Sequence, residues 1–474
     1  MERGNKAGIS WAALCRFQLV FNEIREWENR ISLLAFNKPV KRFSDLRLLR
    51  KKATFKEEGG VKMIKAVAMS DLHLGEETSV LNFFIYDNRG KKVRQRGELV
   101  VNKITQELDK IKTGENYGEK IKYLILVGDV FDLSLSTFKE SAENVQIFLR
   151  KICASETVEE IIYLPGNHDH HIWFQIVENR NFVSKIERKE SLDFFYDRVT
   201  DPDEVLKDTF ITGLMPEGKS IGVTYPNFEL MLKDQVIVFH HGHFNERMWT
   251  LTTDIFDEYL ENYDLEELEI CNSPLTEMFW YALGQAGRLG AGGLSEKIYT
   301  GVKNNDFKMI EKISEKVFDS IDEWDGRKKD GFFKDKVDDM IKKGGIFLAK
   351  KIISQFVTKK EQKKGSVARG MTLKDEGLSD GIKRYMDRFI KLNRDYTYVF
   401  GHTHKYFQER GFKDSNNFAH ELVNCGGWVI EMVDEIPDTY MIKINGEGDI
   451  AAVRIDIPKI ILEAKYDIIK RVLS

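Results

Sequence analysis

Every histidine of this chain except His420 falls in one of four short clusters, and a fifth piece supplies paired aspartates. In chain order the pieces are Asp71-Leu72-His73, Gly128-Asp129-Val130-Phe131-Asp132, Gly166-Asn167-His168-Asp169, His240-His241-Gly242-His243 and Gly401-His402-Thr403-His404. Together they offer imidazole nitrogens, carboxylate oxygens and one amide oxygen. That mixture suits a pair of borderline or hard divalent ions such as Mn2+, Fe2+ or Zn2+ better than a thiolate-bound structural zinc.

Pieces so far apart in the chain need elements that bring them together, and each follows a run that reads as a buried β-strand. The runs are Ile64 to Met69, Tyr123 to Val127, Ile161 to Leu164, Val236 to Phe239 and Tyr396 to Phe400. Between the first two, Val100, Val101, Ile104, Leu108 and Ile111 keep the 3.6-residue period of an amphipathic helix. Strand, helix, strand recurs, so a layered α/β fold is expected, with the motifs gathered outside the carboxyl ends of the strands. Near the end, Tyr440, Ile442 and Ile444 alternate before Asn445-Gly446 and a second alternating run to Ile457, which signals an antiparallel hairpin.

The chain's 474 residues allow a large core and more than one domain. An apolar fraction of 42% with 31% charged residues argues against both global disorder and an integral membrane protein. The net charge of -4 gives no general pull toward nucleic acid or anionic lipid, and no stable nucleic-acid partner is expected. Cys15, Cys153, Cys271 and Cys425 are sparse and show no CxxC spacing, which fits free thiols in a reducing compartment. Arg16 interrupts the apolar stretch Ile9 to Cys15, so a secretory signal is rejected, and no run is long enough for a transmembrane segment. The expected location is cytoplasmic.

The expected organisation is a helical N-terminal extension over residues 1–60, a core over 61–244 and 391–474, and a helical insertion over 245–390. In the insertion Phe307, Ile310, Ile313, Val317, Ile321 and Trp324 share one helical face, and Phe279-Trp280-Tyr281 leads into a Gly-rich run. It leaves the core at one motif and returns just before the next, so we read it as a lid over the site; a decoration packed elsewhere is the alternative.

The ordered set DxH, GDxxD, GNHD, H and GHxH resembles the calcineurin-like metallophosphoesterase superfamily, over about residues 64 to 244 and 395 to 457. The resemblance implies a layered sandwich of mixed sheets flanked by helices, and two divalent ions, Mn2+ first with Fe2+, Zn2+ or Ni2+ as alternatives. It implies that Asp71, His73, Asp129 and His404 hold one ion and that Asp129, Asn167, His241 and His402 hold the other, with Asp129 shared. It further implies a metal-bridging hydroxide as nucleophile, His168 as general acid and Asp132 as the group that orients its ring.

Among the remaining histidines, His240 should point away from His241 if the strand continues through it. His243 could touch substrate or pack against the lid. His170, His171 and Trp173 should shape the rim, and His420 should be an ordinary packed or exposed histidine. Asn424-Cys425-Gly426-Gly427-Trp428 resembles the Asn-x-Gly-Ser-Trp element of bacterial members and should support the site from below, with Trp428 as packing.

The expected activity is hydrolysis of a phosphomonoester, phosphodiester or pyrophosphate in a small-molecule, nucleotide or lipid-linked substrate. Leu133 stands where the related protein serine/threonine phosphatases carry an arginine, so close kinship with them is not expected. One alternative is a lipid-nucleotide hydrolase like the UDP-2,3-diacylglucosamine pyrophosphatases, which also insert helices between the fourth and fifth motifs. There the aromatic Phe279 to Tyr281 and the basic Lys350 to Lys364 would meet acyl chains and head group. A catalytically silent metal-binding scaffold is the other.

Overall fold

The computed structural model describes residues 63–87, 89–192, 197–207, 209–255, 263–277, 372–374 and 376–473. The expected N-terminal extension and insertion residues 278–371 lie outside the described residues.

Along the chain the strands are β1 (Ile64–Met69), β2 (Phe84–Tyr86), β3 (Lys92–Arg94), β4 (Ile121–Val127), β5 (Val158–Leu164), β6 (Leu206–Lys207), β7 (Ile221–Val223), β8 (Asn227–Leu232), β9 (Gln235–His240), β10 (Thr397–Phe400), β11 (Phe407–Lys413), β12 (Ala419–Asn424), β13 (Tyr440–Asn445) and β14 (Ile450–Arg454). They form a seven-stranded sheet in the order β14-β13-β1-β4-β5-β7-β6, a five-stranded sheet in the order β11-β12-β10-β9-β8, and the small hairpin β2-β3. Both larger sheets are mixed. The centre of the first is parallel through β1, β4, β5 and β7, and that of the second through β9, β10 and β12. The expected hairpin is β13-β14, which closes the edge of the first sheet antiparallel to β1.

Central strands covered on both faces read as continuous apolar runs, which is why the alternation expected of a half-exposed strand is missing from β1, β4 and β5. Ala66, Ala68, Ile125, Val127, Ile162 and Leu164 face Phe228, Leu230, Ile237, Phe239, Val399 and Val423 of the other sheet. Their neighbours Val67, Met69, Leu124, Leu126, Ile161 and Tyr163 turn the opposite way. These pack with Val100, Ile104 and Leu108 of α1 (Gly97–Lys110) and with Val145, Phe148 and Ile152 of α2 (Phe138–Ala154).

Two further helices stand close to the motif loops. α3 (His170–Glu178) begins directly after Asp169, and α4 (Leu265–Thr276) is capped by Asp264, whose side chain accepts the Glu267 N–H while Glu267 returns the bond to the Asp264 N–H. α5 (Glu376–Phe389) lays Ile382, Tyr385, Met386 and Phe389 along one stripe, and Tyr385 stacks on His240 with ring centres 4.3 Å apart. α6 (Lys459–Leu473) follows the last strand. No helix among the described residues is long and apolar enough to cross a membrane.

Candidate metal centre

The strand-end loops continue the ladder of the sheet that launches them. Beyond β1 and β4 the Asp71 N–H donates to Gly128 O at 3.1 Å, the His73 N–H to Asp129 O at 2.8 Å and the Leu74 N–H to Val130 O at 3.0 Å. Asp169 ties the next loop on: its carboxylate accepts the N–H groups of Val130 at 2.8 Å, Phe131 at 3.2 Å and Gly166 at 2.5 Å. Burial, with the charge of Asp129 added, pushes the Asp169 carboxyl up to about 6. From the second sheet, the Gly401 N–H donates to His241 O at 2.8 Å and the His402 N–H to Asp71 Oδ2 at 2.9 Å, so the GHTH loop is bonded to the DLH loop.

Close approach explains two of the glycines. A side chain at Gly128 would collide with the His241 imidazole, and one at Gly401 with Ser70 and the Asp71 carboxylate. The backbone is also held in the left-handed region at Asp71, His73, Asp129, His402 and His404, with φ between 44° and 70°. Such non-glycine conformations cost about 1–3 kcal/mol each and persist where the surroundings over-determine them, as at functional sites.

All the residues expected to hold metal converge and are buried. In one set, His404 Nε2 lies 3.3 Å from Asp71 Oδ1 and 3.1 Å from His73 Nε2. In the other, His241 Nε2 lies 3.1 Å from Asp129 Oδ2 and 3.0 Å from Asn167 Oδ1, and His402 is close enough to share an ion with Asp129 and His241. His73, Asp132 and His168 also cluster, through the carboxylate and the two Nδ1 atoms.

The hydrogen bonding favours a cation in these sets. Each of the four imidazoles has one ring nitrogen engaged away from its set: His73 Nδ1 with Asp132 Oδ2 at 2.9 Å, His404 Nδ1 with Glu431 Oε1 at 2.9 Å, His241 Nδ1 with Val127 O at 3.1 Å and His402 Nε2 with Glu246 Oε2 at 3.0 Å. A carboxylate or carbonyl oxygen only accepts, so these nitrogens carry the proton. His241 Nε2 also faces the acceptors Asp129 and Asn167, and although burial opposes it Asp129 pushes that ring up to about 9, so a cation bound there would displace a second proton. Burial holds His73 below its ordinary pKa despite Asp132, which keeps that ring neutral. His73 Nε2 and His404 Nε2 face each other at 3.1 Å, an arrangement that a shared cation would suit. Burial alone would neutralise Asp129, but His241 and His168 outweigh it and hold its carboxyl well below the usual range.

Residues 64–267 match the family model for calcineurin-like phosphoesterases. The chain carries a calcineurin-like phosphoesterase domain. The GHTH motif lies past the matched stretch, yet its loop is bonded to Asp71 inside it. The expected α/β architecture of mixed sheets flanked by helices is present. Among solved structures, a dimetal phosphatase from Danio rerio is similar at 9% identity, covering 83% of this chain and 100% of that one with a TM-score of 0.30. The Termus thermophilus sulfate thiohydrolase SoxB is similar at 10% identity, covering 86% and 60% with a TM-score of 0.25. No curated protein matches the chain.

The domain's other expected residues fall as follows. His168 is buried and donates its N–H to Asp129 Oδ1 at 2.8 Å. Asp132 reaches the His168 ring at 3.2 Å but lies nearer His73, so its orienting work is divided between the two. His240 does point away from His241, with Nδ1 accepting the Gly242 N–H at 3.0 Å. His243 packs against Tyr225 and Phe244. His170 and Trp173 are inside the protein rather than on a rim, because α3 starts at once after the motif and turns them toward the core; His170 sits between Glu269 and Glu277. His420 is buried against Tyr396. Asn424 supports the GHTH loop by donating to Gly401 O at 2.8 Å, and the Trp428 N–H donates to Asp71 O at 3.0 Å.

Reading the sequence missed Glu246, Glu431 and Ser134. The two glutamates stand outside every motif, and only the folded chain puts them on His402 and His404. Ser134 follows Asp132 by two positions, where a short loop could have pointed to it.

Proposed function

We propose that the chain hydrolyses a phosphoester or pyrophosphate with two divalent ions, one held by Asp71, His73, Asp129 and His404 and the other by Asp129, Asn167, His241 and His402. The observation that supports this most is the reach of Asp129: its Oδ2 lies 3.1 Å from His241 Nε2 and 3.6 Å from His73 Nε2, so one carboxylate borders both donor sets. Two imidazoles on each side, with carboxylates and one amide oxygen, suit Mn2+ first, then Fe2+ or Zn2+. A cytoplasmic location accords with the sparse cysteines, of which Cys153, Cys271 and Cys425 are free among the described residues.

Ions bound there would polarise the phosphoryl oxygens, lower the pKa of a shared water and offset the charge that builds up in the transition state. The chain's own part is to place and protonate. Asp129 stays ionised between the sets, while Asn167 contributes an oxygen without adding charge. His168 presents Nε2 as the proton donor to the leaving oxygen, since its Nδ1 is turned toward Ser134 and Asp132. Leu133 leaves the loop after GDxxD without the guanidinium that would grip a phosphoprotein.

The test is turnover of an aryl phosphomonoester, an aryl phosphodiester and a nucleotide-sugar pyrophosphate by Mn2+-loaded protein. Hydrolysis of at least one, abolished by a chelator and restored by Mn2+, supports the reading. Failure on all three with Mn2+, Fe2+ and Zn2+ in turn speaks for the silent scaffold.

A further inference from the structure

The Asp132 carboxylate is asked to do more than one acceptor can do well. Its Oδ2 lies 2.9 Å from His73 Nδ1 and 3.2 Å from His168 Nδ1, and its Oδ1 accepts the N–H groups of Ser134 at 3.0 Å and Leu135 at 2.6 Å. When His73 gives the lone pair of Nε2 to a cation, its proton stays on Nδ1 and engages Oδ2 closely, leaving His168 the longer contact to the same oxygen. Another group stands nearer to His168. Ser134 Oγ is 2.5 Å from His168 Nδ1 and 3.0 Å from Asp132 Oδ1, and the serine is buried.

The hydroxyl has one proton to donate, and the carboxylate can only accept. The arrangement that satisfies all three groups runs from His168 Nδ1–H to Ser134 Oγ, and from the Ser134 hydroxyl to Asp132 Oδ1. We propose that Ser134 is the positioning residue for the general acid: it accepts the Nδ1 proton of the His168 imidazolium, so that the proton given to the leaving oxygen comes from Nε2 and the ring is left as the neutral Nδ1–H tautomer. Nothing in this requires Ser134 to touch substrate. The kinetic consequence rests on the phosphoesterase reading, whereas the tautomer rests on the geometry alone.

The experiment has two arms on full-length protein loaded with Zn2+, which is diamagnetic. In the first, two-bond proton–nitrogen NMR of the imidazoles, with the His168 signals assigned by their loss in His168→Gln, should show Nδ1 protonated in the unaltered protein. In Ser134→Ala, at a pH where the ring is neutral, both tautomers should appear. An unaltered protein with bare Nδ1 and protonated Nε2, or a Ser134→Ala spectrum with His168 unchanged, overturns the proposal even if the chain hydrolyses no phosphoester. In the second arm, Ser134→Ala should lose about 10-fold in kcat on an alkyl ester with KM unchanged, and much less on an activated aryl ester, the size expected for a group acting through its neighbour. Equal losses on both esters overturn the kinetic role. If Ser134→Ala does not fold, Ser134→Thr, which keeps the hydroxyl, should retain the tautomer of the unaltered protein, and loss of it counts against the proposal.

Discussion

His168 belongs to neither donor set shared with Asp129, so replacing it separates proton transfer from metal binding. His168→Ala should keep both ions, by elemental analysis, yet lose about 10²- to 10⁴-fold in turnover of an ester with a poor leaving group. An activated aryloxide departs without a proton, so the loss there should be smaller; equal losses would remove the general-acid role. Asp132→Asn should behave differently, because the carboxylate holds His73 as well as His168. Both metal affinity and turnover should fall, by about 10- to 100-fold, as is usual when the partner of a metal-ligating histidine is removed. A variant with full metal affinity would show that Asp132 serves His168 alone.

Between elements, one contact that couples the motif loops to the start of the insertion is the clamp of α3 on α4. His170 Nε2 lies 2.8 Å from Glu269 Oε1 and its Nδ1 2.7 Å from Glu277 Oε1, while Tyr225 donates to Glu269 Oε2 at 2.8 Å. Burial opposes the charge on His170, but Glu269 and Glu277 outweigh it and push its pKa up to about 10, against about 6.5 in an unfolded chain. The charged clamp therefore contributes fully below about pH 6.5, and its contribution is lost as pH rises through about 10. Removing one partner of a buried pair costs about 3–5 kcal/mol, so His170→Gln should be clearly less stable at pH 6, and the gap should narrow toward pH 10. Thermal or denaturant unfolding of both proteins across that range decides it, and a constant gap would mean that the pair is not ionised. The elements themselves were unequally legible. β1, β4, β5, β9 and β10 could be read from their apolar runs, and β13-β14 from its turn. α2 was legible only in its second half, where Val145, Phe148, Leu149 and Ile152 keep the helical period, because the face its first turns bury carries Glu140 and Asn144, which accept the backbone N–H groups of Tyr86 at 2.8 Å and Phe83 at 2.9 Å. Polar residues buried for long-range bonds shorten the apolar period that marks a helix.

Across the whole molecule, the centre exists only because two sheets bring their strand ends together: Asp71, His73, Asp129 and Asn167 follow strands of one, and His241, His402 and His404 follow strands of the other. The convergence of the seven residues expected to hold metal was legible because their motifs follow strand ends, while the assignment of each to an ion came from the resemblance to the metallophosphoesterases. Glu246 and Glu431 were not, since a carboxylate that orients an imidazole from behind can come from any passing loop. The 245–390 insertion, read as a lid, lies mostly outside the described residues, but its described residue Glu246 already touches His402 at 3.0 Å. The central claim is that one carboxylate joins two ion sites, and metal content per chain tests it most directly. Elemental analysis of purified protein should find close to two divalent ions, and Asp129→Asn should lose both. Full metal content in Asp129→Asn, or a single ion in the unaltered protein, would contradict the account.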